Sequence, residues 1–134
     1  FYLVWTGGTQ TTKNGYPWPW QLSEINLVKF EQSFPKVVPR RAAKDSSVYL
    51  GYELFKKRCI RCHSINGEGG KIGPDLNAPR NILSYRSEFM VRELIKHPST
   101  YRHTQMPDHP DLTDDQLDQL IDYFRYMGKI RRLD

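Results

Sequence analysis

The chain has little cysteine: two in 134 residues, Cys59 and Cys62. That excludes the disulfide framework that staples many small secreted domains. Methionine is nearly as scarce, with three. Long apolar runs are missing. The longest, such as "FYLVW" at the start, fall far short of the roughly 20 residues that cross a bilayer. No secretory h-region is visible, and there is no internal repeat or low-complexity tract. Lys and Arg outnumber Asp and Glu, 20 to 15, for a formal charge of +5. The basic residues are nevertheless scattered. The dense clusters are "PRR" at 39–41 and "KIRR" at 129–132, and no nucleic-acid motif accompanies them. Nucleic acid is therefore set aside as a partner, and the charge is read as a solvated surface with some attraction for acidic proteins.

What is present suits one compact domain with an appendage. Hydrophobic residues make up 38% and charged residues 26%, an ordinary globular balance. The chain opens at Phe1, inside an apolar run, so a piece of a longer chain is expected in preference to a processed mature form. Residues 1–44 form a Trp-rich extension and linker with Trp5, Trp18 and Trp20, an Asn14-Gly15 turn signal and a strand-like "INLVKF". "FPKVVPRRAAK" predicts an extended linker, because Pro35 and Pro39 discourage a helix.

From residue 45 to 134 the pattern is helical. "DSSVYLGYELFKKRC" begins with N-cap residue types, and Val48, Gly51, Tyr52, Phe55 and Cys59 recur on one face. A second helix is predicted from about Ser87 to His97, stopping before Pro98, with Met90, Val91, Leu94 and Ile95 apolar. The third opens with a Thr113–Gln116 capping box. Its stripe is Leu117, Leu120, Ile121, Phe124 and Met127, and Asp114 and Asp115 at the start with Lys129, Arg131 and Arg132 at the end suit the helix dipole. The loops between, one Gly-rich and one reading "PSTYRHTQMPDHPDL", are long for so small a core. A bound cofactor would supply the missing apolar filling.

Both cysteines fall in "CIRCHS", a C-x-x-C-H pattern, which is the attachment motif for c-type haem. Two thiols one turn apart reach two neighbouring vinyl groups, and His63 is then held against the ring face as proximal ligand. Four rivals compete with this reading. A thioredoxin-type redox pair needs a βαβ context. A zinc site needs two further ligands, from His97, His103 or His109. A disulfide across two residues constrains little, and two buried free thiols are the blandest reading. Haem attachment is preferred. For the second axial ligand, Met106 in "TQMPDHP" stands out, because it joins no helical stripe, whereas Met90 and Met127 do. His103 and His109 flank it as alternatives. The carbonyl of Pro74, after the Gly-rich turn, is a candidate acceptor for the other ring N–H of His63.

These residues resemble a class I c-type cytochrome over about Ser46 to Gly128. The resemblance rests on Gly51 and Phe55 ahead of the motif, on "GPDL" at 73–76, on Met106-Pro107 and on "LIDYF" at 120–124. It implies an all-α class I cytochrome c fold, three main helices wrapped around one covalent haem c, with the first and last helices crossing at Gly51, Phe55, Leu120 and Tyr123. Residues 1–44, an irregular or short-strand extension, faintly resemble the end of a molybdopterin-type oxidoreductase domain through "YLVW" and "PWPWQLSEINLV". The expected function is a periplasmic one-electron carrier, not itself an enzyme, with haem held by Cys59, Cys62, His63, Pro74 and Met106 and iron bound by His63 and Met106. Its partners would be redox proteins, a donor dehydrogenase or oxidoreductase and an acceptor oxidase or reductase. Lys56, Lys57, Arg58, Arg61 and Lys71 are candidates for a docking rim. The alternative is a haem protein with an open sixth site, a small-ligand sensor or enzyme, with Arg102 and His103 nearest to a distal pair.

Overall fold

The computed structural model describes residues 23–130. The tryptophans, the Asn14-Gly15 turn, "FYLVW", and Arg131 and Arg132 lie outside the described residues. The elements run α1 (Phe30–Ser33), α2 (Ser47–Arg58), β1 (Ser64–Ile65), β2 (Glu68–Gly69), a 3₁₀ turn (Ile82–Ser84), α3 (Glu88–Lys96), α4 (Pro98–Tyr101) and α5 (Asp114–Lys129). The domain is thus mostly helical, as expected for the class I cytochrome fold.

Caps set the helix ends. The Ser46 hydroxyl accepts from the Tyr49 N–H and starts α2, and the Ser87 hydroxyl accepts from Met90 and starts α3. At α5 both halves of the capping box form: Thr113 Oγ1 accepts from the Gln116 N–H at 3.2 Å, and the Gln116 side chain accepts from the Thr113 N–H at 3.0 Å.

The core lies where α2 crosses α5. Gly51, Tyr52 and Phe55 of α2 are buried against Leu117, Leu120, Ile121, Tyr123, Phe124 and Met127 of α5. Gly51 makes the close approach possible. A Cβ there would stand 1.9 Å from the Gln119 carbonyl oxygen and 2.9 Å from Tyr123 Cβ. The Phe55 ring packs edge-on to Phe124 at 6.2 Å and tilted against Tyr123 at 5.5 Å. Ser47 Oγ donates across the crossing to Asp122 at 2.6 Å. Helix α3 adds Val91 and Ile95, while Met90 and Leu94 are half-buried. Arg92–Asp118, Lys96–Asp114 and Glu88–Arg125 pair its polar edge with α5.

Three expectations are corrected. "INLVKF" is not a strand: residues 23–29 are irregular and Phe30 opens α1. A strand needs a ladder partner, and among the described residues the one ladder is β1–β2. "FPKVVPRRAAK" is not an extended linker but a chain of turns. Val37 is fully buried, the buried Tyr123 hydroxyl donates to its carbonyl at 2.7 Å, and Tyr126 donates to the Arg40 carbonyl. Burial pushes the Tyr123 hydroxyl well above its ordinary pKa, so it stays a donor. Finally, the Gly-rich segment, expected as a loop, contains a short hairpin. Asn66 and Gly67 both have positive φ, 55° and 83°, and turn β1 back onto β2, with Ser64 opposite Gly69 and Ile65 opposite Glu68.

Candidate functional site

Helix α2 delivers Cys59 at its C-terminal cap, and one further turn follows. The Cys59 carbonyl accepts from the N–H of Cys62 at 3.0 Å and of His63 at 2.9 Å. That closure holds the two cysteines and the histidine on one compact turn. Both thiols are free, and each cysteine is half-buried as a residue.

The glycines explain the composition of the next segment. Gly70 presses on the turn: its N–H donates to the carbonyls of Ile60 and His63, and a Cβ there would sit 2.1 Å from the Arg61 oxygen. Gly73 donates to the Cys62 carbonyl at 2.7 Å and faces the imidazole. A Cβ at Gly73 would meet the ring atoms of His63 at 2.4 to 2.9 Å. The ring therefore lies in a cradle that any other residue would fill.

His63 Nδ1 lies 2.8 Å from the Pro74 carbonyl oxygen. A carbonyl can only accept, so Nδ1 carries a proton, and in the neutral ring Nε2 keeps its lone pair. This is the arrangement of a metal-binding histidine held by its other nitrogen.

Asp75, present in the "GPDL" segment but given no role by the sequence, is the polar hub of the loop. Its Oδ2 accepts from Ser64 Oγ at 3.0 Å and the Gly67 N–H at 2.6 Å. Its Oδ1 accepts from the N–H groups of Asn77 and Ala78, both at 2.7 Å. Burial pushes its pKa up, but the N–H groups of Gly67, Asn77 and Ala78 and the Ser64 hydroxyl outweigh that, and the carboxyl titrates below its ordinary value.

Three asparagines, also missed by sequence reasoning, extend the network. Asn66 donates to the Lys36 carbonyl at 3.2 Å. Fully buried Asn77 donates to Asn66 Oδ1 at 2.7 Å and the Met127 carbonyl at 3.0 Å. Asn81 donates to Asn77 Oδ1 at 2.6 Å and the Phe124 carbonyl at 2.8 Å. The loop is thereby fastened to the C-terminal part of α5, at the Phe124 carbonyl and at that of Met127, which lies in the last turn, where carbonyls lack helical partners. The signals were present as Asn66-Gly67, a hairpin pair, and as Asp and Asn just after a proline.

Met106 lies in the irregular segment between α4 and α5 and is half-buried, its N–H donating to Thr104 Oγ1 at 3.1 Å. His103 is exposed and His109 half-buried. Burial, helped by Arg58, lowers the His109 pKa. Arg102 is exposed beside His103.

The rivals fare poorly. Among the described residues no three His, Cys, Asp or Glu converge as a metal site, which removes support for zinc. Burial pushes the Cys59 thiol up to about 12, against the pull of Arg58, the opposite of an activated redox thiolate. The basic rim is also thinner than its sequence suggested. Lys56 is engaged by Glu53 at 2.8 Å and lies over the Phe30 and Tyr52 rings, and Arg58 pairs with Asp111 at 2.6 Å.

Helices crossing at a glycine, with a C-x-x-C-H turn and an anchored histidine at the end of the first, define a small haem-attachment domain. The cytochrome c family profile matches residues 48–128, and the chain belongs to that family. It is accordingly an electron-transfer protein, and the family implies covalent haem c. The residues present fit that group: two unbridged thiols on one turn, a glycine cradle and a ring nitrogen left over for iron. The chain is 30% identical over 92 residues to a nitric oxide reductase subunit of Halomonas halodenitrificans, covering 63% of this chain and 61% of the relative. It is 49% identical over 35 residues to cytochrome c of Stellaria longipes, covering 25% of this chain and 32% of the relative. It therefore spans about three fifths of the first relative and a third of the second.

Proposed function

We propose that this chain is a periplasmic one-electron carrier with a single haem, bound through Cys59 and Cys62, and with His63 and Met106 as axial ligands. The observation that carries the reading is the His63 ring, seated against Gly73 with Nδ1 donating to Pro74. Bound haem supplies one iron that takes up and returns a single electron. The chain supplies the rest. Cys59 and Cys62 fix the group in place, Pro74 orients His63, and Met106, at 43 residues beyond His63, offers a thioether that favours the ferrous state.

The haem domain is assigned to residues 45–134 and the preceding 1–44 to an extension that attaches it to a partner. The docking of Val37 and Arg40 against α5 supports a fixed attachment in place of a free linker. Similarity to a nitric oxide reductase subunit supports a place within a larger oxidoreductase, as a tethered module or subunit. Neither relative supports the faint molybdopterin likeness of residues 1–44, and no such partner is proposed. Lys57 and Lys71, both exposed, are the residues proposed to meet an acidic partner near the thioethers.

The test is an optical spectrum, oxidised and reduced, extended into the near infrared. The reading expects the weak ferric band of a sulfur–iron bond and its loss in Met106→Ala. Ready binding of carbon monoxide by the ferrous wild type, with that band absent, would move the assignment to the open-site alternative. Absence of any Soret band would end the haem reading.

A further inference from the structure

We propose that Asp75 is a positioning residue: its carboxylate clamps the segment carrying the Pro74 carbonyl onto the segment carrying His63, and so sets how strongly that histidine donates to iron. The proposal rests on the reading of His63 as an axial ligand.

The connectivity is direct. Ser64 follows His63 in the chain, and Asp75 follows Pro74. Ser64 Oγ and the Gly67 N–H reach Oδ2 from the histidine side, at 3.0 and 2.6 Å. The Asn77 and Ala78 N–H groups reach Oδ1 from the proline side, at 2.7 Å each. Other bonds join the same two segments: the Gly73 N–H to the Cys62 carbonyl at 2.7 Å, the Leu76 N–H to the Ser64 carbonyl at 2.9 Å and the Asn77 amide to Asn66 Oδ1 at 2.7 Å. Those bonds hold the chain on either side of Pro74; the carboxylate, on the very next residue, adds charge-assisted bonds to both segments and narrows the range over which the Pro74 carbonyl can turn. An ionised carboxylate is required because all four groups are donors and only acceptor oxygens can meet them. An amide of the same shape would turn two of its own hydrogens on two of those donors.

The consequence runs through His63. A short, held Nδ1–H···O=C bond raises the basicity of the ring and strengthens its donation to the metal. Stronger donation favours ferric iron and lowers the reduction potential. Loosening the clamp should therefore raise the potential and expose the Nδ1 proton.

The experiment uses the haem-loaded full chain labelled with nitrogen-15 at histidine, in the reduced state. It follows exchange of the His63 Nδ1 proton with water, alongside the midpoint potential and thermal unfolding. In Asp75→Asn the proton should exchange about tenfold faster, the loss of one charge-assisted hydrogen bond, and the potential should rise. Removing a negative charge raises the potential by itself, so Ser64→Ala, which keeps the charge, must shift both readouts in the same direction by less. Leu120→Ala, in the helix crossing, should lower stability and move neither. If both site variants lose stability while proton exchange and the Ser64→Ala potential stay at wild-type values, Asp75 is merely structural and the proposal is overturned. If Asp75→Asn does not take up haem, Ser64→Ala decides alone. A wild type with no histidine-ligated spectrum overturns the ligand assignment, and the proposal with it. That result is distinct from an unresponsive variant of a histidine-ligated wild type.

Discussion

Where α2 crosses α5, Gly51, Phe55, Leu120, Tyr123 and Phe124 meet through apolar surface, each of them buried. Across residues 63–81 the contacts are instead those of Asp75, Asn66, Asn77 and Asn81 with backbone groups. The crossing tolerates small changes of angle, because dispersion and water exclusion have weak directionality. The loop does not, because each hydrogen bond fixes a distance and an angle. The domain thus places most of its stability in one region and the geometry around His63 in the other.

Four substitutions or conditions would break or sharpen that division. The largest effect is expected at Gly51→Ala, since the new Cβ meets backbone at 1.9 Å. The helices must separate, at about 3 kcal/mol or more, measured as a fall in denaturation midpoint. If the protein still folds, its potential should be close to wild type. Next comes Asn77→Ala, which strands Asn66 Oδ1 and the Met127 carbonyl in a buried network. A loss of about 2 kcal/mol is expected, this time with a changed histidine environment by NMR. If the effect is confined to stability, the proposed split between the regions fails. Tyr123→Phe should cost about 1 kcal/mol by leaving the Val37 carbonyl without its donor. It should also raise the protease sensitivity of residues 34–44, because the same bond ties that segment to α5.

The smallest effect concerns pH. The Asp75 pKa is lowered on folding, so its contribution to stability is present above the ordinary carboxylate value and is lost as pH falls through the folded one. Thermal unfolding followed from neutral pH down to acid should show a shallower decline for Asp75→Asn than for wild type. A residual slope is expected from Asp108 and Asp111, whose pKa values are also lowered, chiefly by hydrogen bonds from Ser99 and Arg58 respectively. Identical slopes would show that folding does not lower the Asp75 pKa.

The difference between the regions also governs what the sequence makes legible. The α5 stripe and capping box are legible because a helix repeats at a fixed period and its cap is local. Each residue of the expected stripe, from Leu117 to Met127, is buried. The C-x-x-C-H turn is legible because attachment to two thiols dictates a spacing. The 64–69 hairpin escapes notice although Asn66-Gly67 announces it, because two-residue strands carry almost no alternation to detect. "INLVKF" misleads for the converse reason: β-branched residues are present, but among the described residues a partner strand is not.

By itself the sequence determined the chemistry and the helical frame: the two thiols, the histidine after them, three capped amphipathic segments and the glycine on which two of them cross. Those follow from covalent spacing and from local periodicity, which act within a few residues. Only the tertiary structure decided that Gly73 lies against the His63 ring, that Asp75 draws four donors from both sides of the loop, that Asn77 and Asn81 bind that loop to α5, and that Val37 belongs to the core. Such contacts join residues far apart in the chain. Their partners are mostly backbone groups, which every residue carries alike, so no pattern of side chains along the sequence could single them out.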